Sequence, residues 1–122
     1  MTQNSFWILT VLARGRRHGY DIMREAAKLS GGSVALKATT LYAALDRLEA
    51  EGLILKDGEE IVDGRARRYY RLSDEGADAL DDEANALETR ASIAKARLIS
   101  RRSLGAGACP GVPCVSLRVH AW

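Results

Sequence analysis

The first apolar segment of the chain is continuous rather than periodic. Between Phe6 and Ala13 every residue except Thr10 is apolar, and Gly15 follows closely. A surface helix shows a single apolar stripe, so a helix this apolar must be covered on most sides. We predict a first helix that starts at Asn4 or Ser5 and ends at Gly15, a residue type common after helix C-termini. In so small a domain we expect a second subunit to supply part of the cover, which makes Trp7 a candidate dimer contact.

The second predicted helix has a single apolar side. It begins at Gly19, and its apolar residues recur at helical spacing. These residues are Ile22, Met23, Ala26 and Leu29. The helix stops at residues 30–32, where a serine and two glycines follow one another, because adjacent glycines favour a turn over a helix.

The third predicted helix, from about Thr39 to Glu51 and closed by Gly52, has two contrasting faces. One face is a narrow buried stripe of leucines at i, i+4 and i+7, which are Leu41, Leu45 and Leu48. The outward face is small and polar and consists of Thr39, Ala43, Asp46 and Ala50, flanked by Tyr42 on one side and by Thr40 and Arg47 on the other. Because no bulky side chain stands at its centre, we expect this face to fit into a groove.

A β-hairpin follows the three helices. Residues 53–62 read as an interrupted strand, Asp63-Gly64 is a strong turn dipeptide, and residues 67–72 read as the returning strand. Three arginines lie at its tip, namely Arg65, Arg67 and Arg68. The predicted fold is therefore α+β and mostly helical: residues 1–72 form a winged helix-turn-helix with three helices and a two-stranded β-hairpin wing.

A fourth helix is predicted over residues 73–104. Ser73 is a good N-cap, and acidic residues in the first turn favour the helix dipole. Its apolar positions alternate in steps of three and four, which is a heptad stripe. They are Ala77, Leu80, Ala84, Leu87, Ala91, Ala94 and Leu98. We expect this stripe to pair with a second copy of the chain, with Leu80, Leu87, Ala91, Ala94 and Leu98 as contacts; the alternative is that the helix folds back on its own winged domain.

Residues 105–122 differ in composition from the rest of the chain, and they contain both cysteines, Cys109 and Cys114. Glycine and proline predict a linker, so we expect a disordered or loosely attached tail, although its last residues alternate like a strand. With His120 the cysteines form C-x4-C-x5-H, which is not a common zinc pattern and lacks a fourth ligand. We expect no metal, no cofactor and free thiols.

Composition favours an ordinary globular protein that is not an enzyme. The 122 residues are 47% hydrophobic and 28% charged, as in folded globular domains. No credible set of nucleophile, base and orienting group occurs, and the carboxylates of the fourth helix lie away from its apolar stripe, as on a solvated face. The first apolar segment is too short to span a bilayer and has the wrong flanks for a secretory signal, so we expect a cytoplasmic protein without a membrane partner.

Local charge favours DNA binding more than the net charge of +2 does. Residues 1–71 carry twelve basic and nine acidic side chains, so the basic surplus lies in the winged part. A few Lys or Arg side chains placed to neutralise phosphates suffice for salt-sensitive DNA binding. Hydroxyls and cations of the third helix and the wing are the candidate DNA contacts: Lys37, Thr39, Thr40, Tyr42, Arg47, Arg65 and Arg67.

Three segments of the chain resemble the PadR family of transcriptional regulators. They are residues 18–22 (HGYDI), 40–54 (TLYAALDRLEAEGLI) and 63–73 (DGRARRYYRLS). The resemblance implies a homodimeric winged-helix repressor of the smaller, single-C-terminal-helix branch. Its third helix would enter the major groove, its wing would touch the backbone or minor groove, and its first and last helices would form the dimer. Some members of the family sense phenolic acids or flat aromatic compounds near the dimer interface, where Phe6 and Trp7 could line a pocket.

Two positions depart from the family pattern. Lys37-Ala38 stands where Ser-Pro is common, and Asp46 stands where a basic residue is common. A carboxylate that faces phosphates weakens binding unless it accepts a hydrogen bond from a cytosine amino group. We expect a homodimer that reads a pseudo-palindromic double-stranded operator with half-sites about one helical turn apart. The alternative, favoured by Asp46, Glu59 and Glu60, is a winged-helix protein-interaction module that does not bind DNA.

Overall fold

The computed structural model describes residues 1–106 and the side chains of residues 1–103. Within this part of the chain, four helices and three strands follow one another. In chain order they are α1 (Gln3–Leu12), β1 (Arg17–His18), α2 (Gly19–Leu29), α3 (Ala38–Ala50), β2 (Ile54–Val62), β3 (Arg65–Leu72) and α4 (Asp74–Ala106). The three helices, the hairpin and the C-terminal helix occur in the predicted order.

The hydrophobic core lies in a compact unit formed by Met1–Ala84. α1, α2 and α3 each contribute apolar residues, and the two long strands add Ile54 and Tyr70. The helical core residues are Ile8, Leu9, Val11, Leu12, Ile22, Ala26, Leu41, Ala44, Leu45 and Leu48. The leucine stripe of α3 is thus buried as predicted, while Leu29 of α2, predicted on the apolar side, is 49% exposed.

α1 begins and ends slightly earlier than the sequence pattern predicts. It starts at Gln3 because Thr2 is its N-cap, whose hydroxyl accepts a hydrogen bond from the backbone N–H of Ser5 at 3.2 Å. It ends at Leu12 with Ala13 as C-cap, so Gly15 lies in the following loop. Most of α1 is covered by its own chain, and its partly exposed aromatic residues, Phe6 and Trp7, meet edge to face with ring centroids 5.5 Å apart.

The wing belongs to a three-stranded antiparallel sheet with strand order β1-β3-β2. The predicted turn is confirmed: Asp63 and Gly64 have φ angles of 52° and 77°, the conformation that two-residue hairpin turns require. β1, which pairs Arg17 with Tyr70 and His18 with Tyr69, was not predicted. Two residues are too few to show the alternation that identifies a strand.

α4 is tied at its first turn to the end of α3. The Ser73 hydroxyl accepts a hydrogen bond from the Gly76 N–H at 2.9 Å and donates one to the Gly52 carbonyl at 2.6 Å. The helix continues to Ala106, two residues beyond the predicted end. Leu80 packs against the core of its own chain, which the fold-back alternative predicts for this one position.

A second unit begins at Asn85, within α4. In it the described residues of the apolar stripe are exposed or half-buried. Leu87 is 41% exposed, Ala91 and Ala94 are exposed, and Leu98 is half-buried.

Residues 1–106 contain neither a candidate metal site nor a membrane-spanning helix. Among them, no three His, Cys, Asp or Glu side chains are grouped to hold a metal ion, and no helix combines the length and apolarity needed to cross a membrane. The predicted tail falls almost entirely outside the described residues, and so do Cys109, Cys114 and His120.

Candidate nucleic-acid interface

The outward face of α3 is open over its whole length. Thr39, Thr40, Ala43, Asp46 and Ala50 are all exposed, because the leucines on the opposite face hold the helix against the core. This face offers hydroxyls near the helix N-terminus and one carboxylate further along. The centre of the face, at Ala43, is small enough for the helix to approach a nucleic-acid groove closely.

Lys37 precedes α3 as its N-cap residue and makes no side-chain capping hydrogen bond. Its side chain is exposed. The first turn of α3 contains no acidic residue, so the positive end of the helix dipole and the lysine charge act in the same direction. This end of α3 is electrostatically suited to anionic groups.

Tyr42 leans on the start of α2 while remaining 45% exposed. A Cβ atom built on Gly19 would lie 2.7 Å from the Tyr42 hydroxyl oxygen and 3.1 Å from its Cζ. Glycine at this position therefore makes room for the tyrosine ring. The contact between α2 and α3 fixes where the Tyr42 side chain lies on the surface.

Arg47 links α3 to α1. Its guanidinium donates a hydrogen bond to the Ser5 hydroxyl at 2.9 Å, and its Nε lies 3.7 Å from a carboxylate oxygen of Glu51. The buried Ser5 hydroxyl also accepts a hydrogen bond from Thr2 at 2.9 Å. The sequence places Arg47 on the flank of the recognition face, and the structure adds that part of its hydrogen-bonding capacity is used within the protein.

A cleft of about 450 Å³ lies between the N-terminus of α1 and α3. Its lining consists of Thr2, Asn4, Thr39, Thr40, Ala43, Ala44 and Arg47. Three of the predicted DNA contacts therefore meet in one cleft, together with Asn4, which sequence reasoning did not select. Hydroxyls, an amide and a guanidinium are suited to contact phosphate oxygens.

The wing presents exposed arginines opposite acidic residues. Arg67 pairs with Glu60 and Arg68 with Glu59 across the strands, whereas Arg65, at the tip, faces Val62. The Tyr69 hydroxyl donates a hydrogen bond to Glu60 at 2.7 Å, and this bond is the main reason that the pKa of Tyr69 is raised above its ordinary value. Unlike Arg67 and Arg68, Arg65 thus has no acidic residue across from it on β2.

Arg16 anchors the base of the wing to the loop after α1. It donates a hydrogen bond to the Asp57 carbonyl at 2.9 Å, next to the register shift in β2, and its guanidinium lies 4.2 Å from the centre of the Tyr69 ring. The His18 ring meets the same tyrosine edge to face, with centroids 5.5 Å apart. The hairpin is therefore held from the side of α1 as well as by β1.

The chain is similar to known transcriptional regulators. The family model described as "Transcriptional regulator PadR-like family" matches residues 8–82, well over half of the chain. The chain belongs to the PadR family. The transcriptional regulator Rv3488 of Mycobacterium tuberculosis is 41% identical over 81 residues, which cover 66% of this chain and 72% of the relative.

Solved structures of PadR-family regulators share the fold. One from Clostridium difficile superposes with a TM-score of 0.65 at 28% identity, over 80% of this chain and 99% of the other. PadR of Bacillus subtilis, solved in complex with operator DNA, superposes with a TM-score of 0.59 at 28% identity, over 66% of this chain and 46% of the other. This chain is accordingly a winged-helix, DNA-binding transcriptional regulator and not an enzyme.

Arg68 is a candidate contact of this PadR-family chain that the sequence-based site omits. Side chains alternate along a strand, so Arg68 shares a face of β3 with the buried Tyr70. Burial raises the pKa of Tyr70, and the smaller influences on it come from Arg68 and from Asp46 and Glu49 of α3. Arg68 is therefore on the α3 side of the wing. The alternation of side chains along β3, counted back two residues from Tyr70, could have indicated this from the sequence.

Proposed function

We propose that the protein is a sequence-specific transcriptional repressor that acts as a homodimer. In this proposal each subunit places α3 in the major groove of one half-site of a pseudo-palindromic operator, while the wing contacts the adjacent backbone or minor groove. The observation that carries it is the exposed, slim face of α3 beside an arginine-bearing wing. The operator-bound structure of Bacillus subtilis PadR supports it by likeness.

The proposed contacts divide by chemistry. Thr39, Thr40 and Tyr42 would contact base edges or phosphates through their hydroxyls, and Asp46 would accept a hydrogen bond from a cytosine amino group. Cations would neutralise phosphates, and these are Lys37, Arg47, Arg65 and Arg67, with Arg68 as an addition. Arg47 would use the donors that Ser5 leaves open.

The proposed dimer uses apolar positions of α4 that are exposed or half-buried in the single chain, with help from Trp7. Leu87, Ala91, Ala94 and Leu98 form this seam. Leu80, also predicted as a dimer contact, would act mainly by packing on the core of its own chain. A dimer binds a two-fold symmetric operator with higher affinity than one subunit does. Once the first subunit is bound, the second binds its half-site as an intramolecular step.

Electrophoretic mobility shift with DNA from upstream of the protein's own gene tests the proposal. We expect a sequence-specific complex whose affinity falls steeply with salt. Arg65→Ala should weaken binding at least fivefold and reduce the salt slope by about one for each phosphate that is no longer neutralised, and Tyr42→Ala should weaken it about tenfold and relax specificity. Lys28→Ala, an exposed change at the far end of α2, is the matched control.

Failure to bind at low salt, or equal binding by the Tyr42 and Arg65 variants, would contradict the proposal. Capture of a protein partner together with no salt-dependent DNA affinity would instead favour the protein-interaction alternative. Repression itself is tested by a reporter gene behind the same DNA, whose expression should rise when the regulator is removed. A repressor acts where the chromosome is, so the proposal includes a cytoplasmic location.

We further propose that a small planar aromatic effector relieves DNA binding beside Phe6 and Trp7. Both rings are partly exposed at one side of α1, and neither lines the cleft between α1 and α3. A second subunit would therefore have to complete the pocket. Quenching of Trp7 fluorescence by planar aromatic acids, measured in a Trp122→Phe background, should accompany loss of DNA binding; no quenching by any member of such a series would contradict it.

A further inference from the structure

A second cleft lies at the base of the wing, within the compact unit that contains the core. It has a volume of about 440 Å³ and is bounded by the end of α1, the loop after it, β2, β3 and the first turn of α4. Side chains alternate along β3, so Arg71 of this cleft shares a face with Tyr69, opposite the face of Arg68 and Tyr70 that lies toward α3. The cleft is therefore separate from the proposed DNA-reading surface.

Three arginines give this cleft its cationic character. Arg14, Arg16 and Arg71 line it, together with two acidic residues, Asp57 and Asp74. All three arginines are exposed to solvent. A guanidinium group is planar and matches the oxygens of a phosphate or a carboxylate with two parallel hydrogen bonds. The cleft thus has the side chains that suit a small anion.

The acidic residues of the cleft do not neutralise the arginines. Within residues 1–103, no ion pair includes Arg14, Arg71, Asp57 or Asp74. In the same part of the chain the guanidinium groups of Arg14 and Arg71 make no hydrogen bond. Their N–H donors are therefore available to a ligand that enters the cleft.

Arg16 is already fixed in position. It donates a hydrogen bond to the Asp57 carbonyl at 2.9 Å, and its guanidinium lies 4.2 Å from the centre of the Tyr69 ring. Arginine has several N–H donors, so this one bond leaves most of them open. A side chain that is held in place before binding loses little conformational entropy when a ligand arrives. Arg16 is thus the preorganised part of the cleft.

The loop that carries Arg14 and Arg16 has a shape set by its own sequence. Gly15, between the two arginines, has a φ angle of 144°, a conformation that residues with a Cβ atom rarely adopt. Arg17 donates a hydrogen bond to the Arg16 carbonyl at 2.8 Å and adds a further restraint. Both arginines are therefore brought to the cleft without the help of a ligand.

The two carboxylates restrict which anion fits. A dicarboxylate would bring its second negative charge toward Asp57 or Asp74, and like charges repel at short distance. A phosphate group concentrates its charge at one end of a molecule, where the arginines can neutralise it. Hydroxyl groups elsewhere in such a molecule can donate hydrogen bonds to the carboxylates. The combination favours phosphate over a dicarboxylate.

We propose that this cleft binds a small molecule that carries a phosphate group, held by Arg14, Arg16 and Arg71. Inorganic phosphate and the phosphate ester of a polyol share this chemistry, and the experiment below separates them. The site is formed within one chain, so the proposal depends neither on the DNA contacts nor on the homodimer proposed above. Because Arg16 also bonds to β2, a bound phosphate should restrain the base of the wing.

Titration of inorganic phosphate into the full, ¹⁵N-labelled chain tests the site by nuclear magnetic resonance. Sodium chloride keeps the ionic strength constant, so that general screening does not contribute to the result. We expect saturable shifts of the amide signals of residues 14–16, 57 and 71–74, with a dissociation constant of about 10 mM or lower. Amide hydrogen exchange around residue 57 should slow when phosphate is bound.

Two arginine variants test which side chains hold the phosphate. Arg71→Gln and Arg14→Gln should each raise the dissociation constant about fivefold or more, because each removes a charged donor. Both residues are exposed, so neither change should unfold the protein. Arg101→Gln, the same loss of charge at an exposed position near the end of α4, is the matched control and should change the constant by less than about twofold.

Glycerol 3-phosphate and glycerol separate the two sources of phosphate. Binding of glycerol 3-phosphate about threefold or more tighter than inorganic phosphate identifies a phosphate ester, whose hydroxyls add hydrogen bonds to the carboxylates. Equal affinities identify inorganic phosphate, and either result upholds the site. Glycerol that binds as tightly as its phosphate ester would overturn it, since the phosphate group would then contribute nothing.

Two further results would also overturn the proposal. One is a set of phosphate shifts that does not saturate by about 50 mM, or that saturates equally in the parent, Arg71→Gln and Arg14→Gln. The other is a loss of operator affinity in Arg71→Gln with a salt slope lower by about one, because the cleft would then contact the DNA backbone. Unchanged operator affinity in Arg71→Gln supports a site for a small ligand.

Discussion

Gly76, in the first turn of α4, lies very close to the backbone of Leu53, the residue before β2. A Cβ built on it would overlap the carbonyl oxygen of Leu53 and lie 2.9 Å from a methyl group of Leu72. Since a backbone carbonyl cannot swing aside as a side chain can, even one methyl group must displace the helix. Glycine here allows α4 to seat against the winged core.

We predict that Gly76→Ala lowers the free energy of unfolding by about 2–4 kcal/mol, because overlap outweighs the gain of about 1 kcal/mol in helix propensity. Urea denaturation followed by circular dichroism measures it. Asp78→Ala, exposed in the same helix, is the control and should change stability by no more than about 0.5 kcal/mol. A Gly76→Ala protein as stable as the parent would contradict the close approach.

Tyr69 and Tyr70 have raised pKa values for different reasons. The hydrogen bond to Glu60 is the main cause for Tyr69, and burial is the main cause for Tyr70. In the unfolded chain both ionise near the ordinary pKa of 10.0. Because ionisation is easier unfolded than folded, their contribution to stability is complete below that pH and is lost as the pH rises above it.

We predict that the free energy of unfolding falls as the pH rises above about 10, and that Tyr70→Phe reduces the fall. Urea titrations at each pH measure it, and absorbance near 295 nm should show tyrosines that ionise only as the protein unfolds. The exposed Tyr20→Phe is the control. A Tyr70→Phe protein with the parent's full alkaline loss would mean that Tyr70 is not responsible.

Among the elements, the wing depends on more than its own hairpin. Arg16 reaches it from the loop after α1, bonding to Asp57 and stacking on Tyr69. A two-stranded hairpin alone is marginally stable, so an anchor at its base limits how far the arginines at its tip can move. Restricting these arginines in the free protein reduces the conformational entropy that they lose when the protein binds DNA.

We predict that Arg16→Met weakens operator binding about three- to tenfold and speeds amide hydrogen exchange in β2 around residue 57. The exchange readout matters because lost charge alone would weaken binding without loosening the strand. Arg14→Met, a neighbouring exposed change with the same loss of charge, is the control. Unchanged exchange in β2 would show that Arg16 does not anchor the wing.

Local sequence patterns are enough to predict the helices and the turn of the hairpin, because each has a strong local cause. The buried stripe of α3 and the positive φ at Asp63 and Gly64 are such cases. β1 could not be predicted, since two residues acquire strand geometry only by pairing with Tyr69 and Tyr70. Arg47 is similar: its hydrogen bond to Ser5 spans 42 positions, and no local pattern reports so distant a partner.

At the scale of the whole molecule, stability should depend on protein concentration if α4 pairs as proposed. We predict that the melting temperature rises by several degrees between about 2 and 200 µM, because mass action favours the dimer over the unfolded chain. Scanning calorimetry measures it. Leu87→Asp combined with Leu98→Asp should remove the dependence, and Asp82→Asn should keep it. A melting temperature constant over this range would contradict pairing.

The heptad stripe of α4 could be predicted from the sequence. Which of its apolar residues pack on the chain's own core and which stay exposed could not. Leu80 faces the chain's own core, while Leu87 is exposed. The same apolar period serves both uses. Only the position of the core, set by distant residues, separates them.

The Ser73 hydroxyl connects two helices through one atom. Its oxygen accepts a hydrogen bond from the Gly76 N–H in the first turn of α4 and donates one to the Gly52 carbonyl just after α3. The helix proposed to read DNA and the helix proposed to pair are therefore coupled at this side chain, so a displacement of one would strain the other.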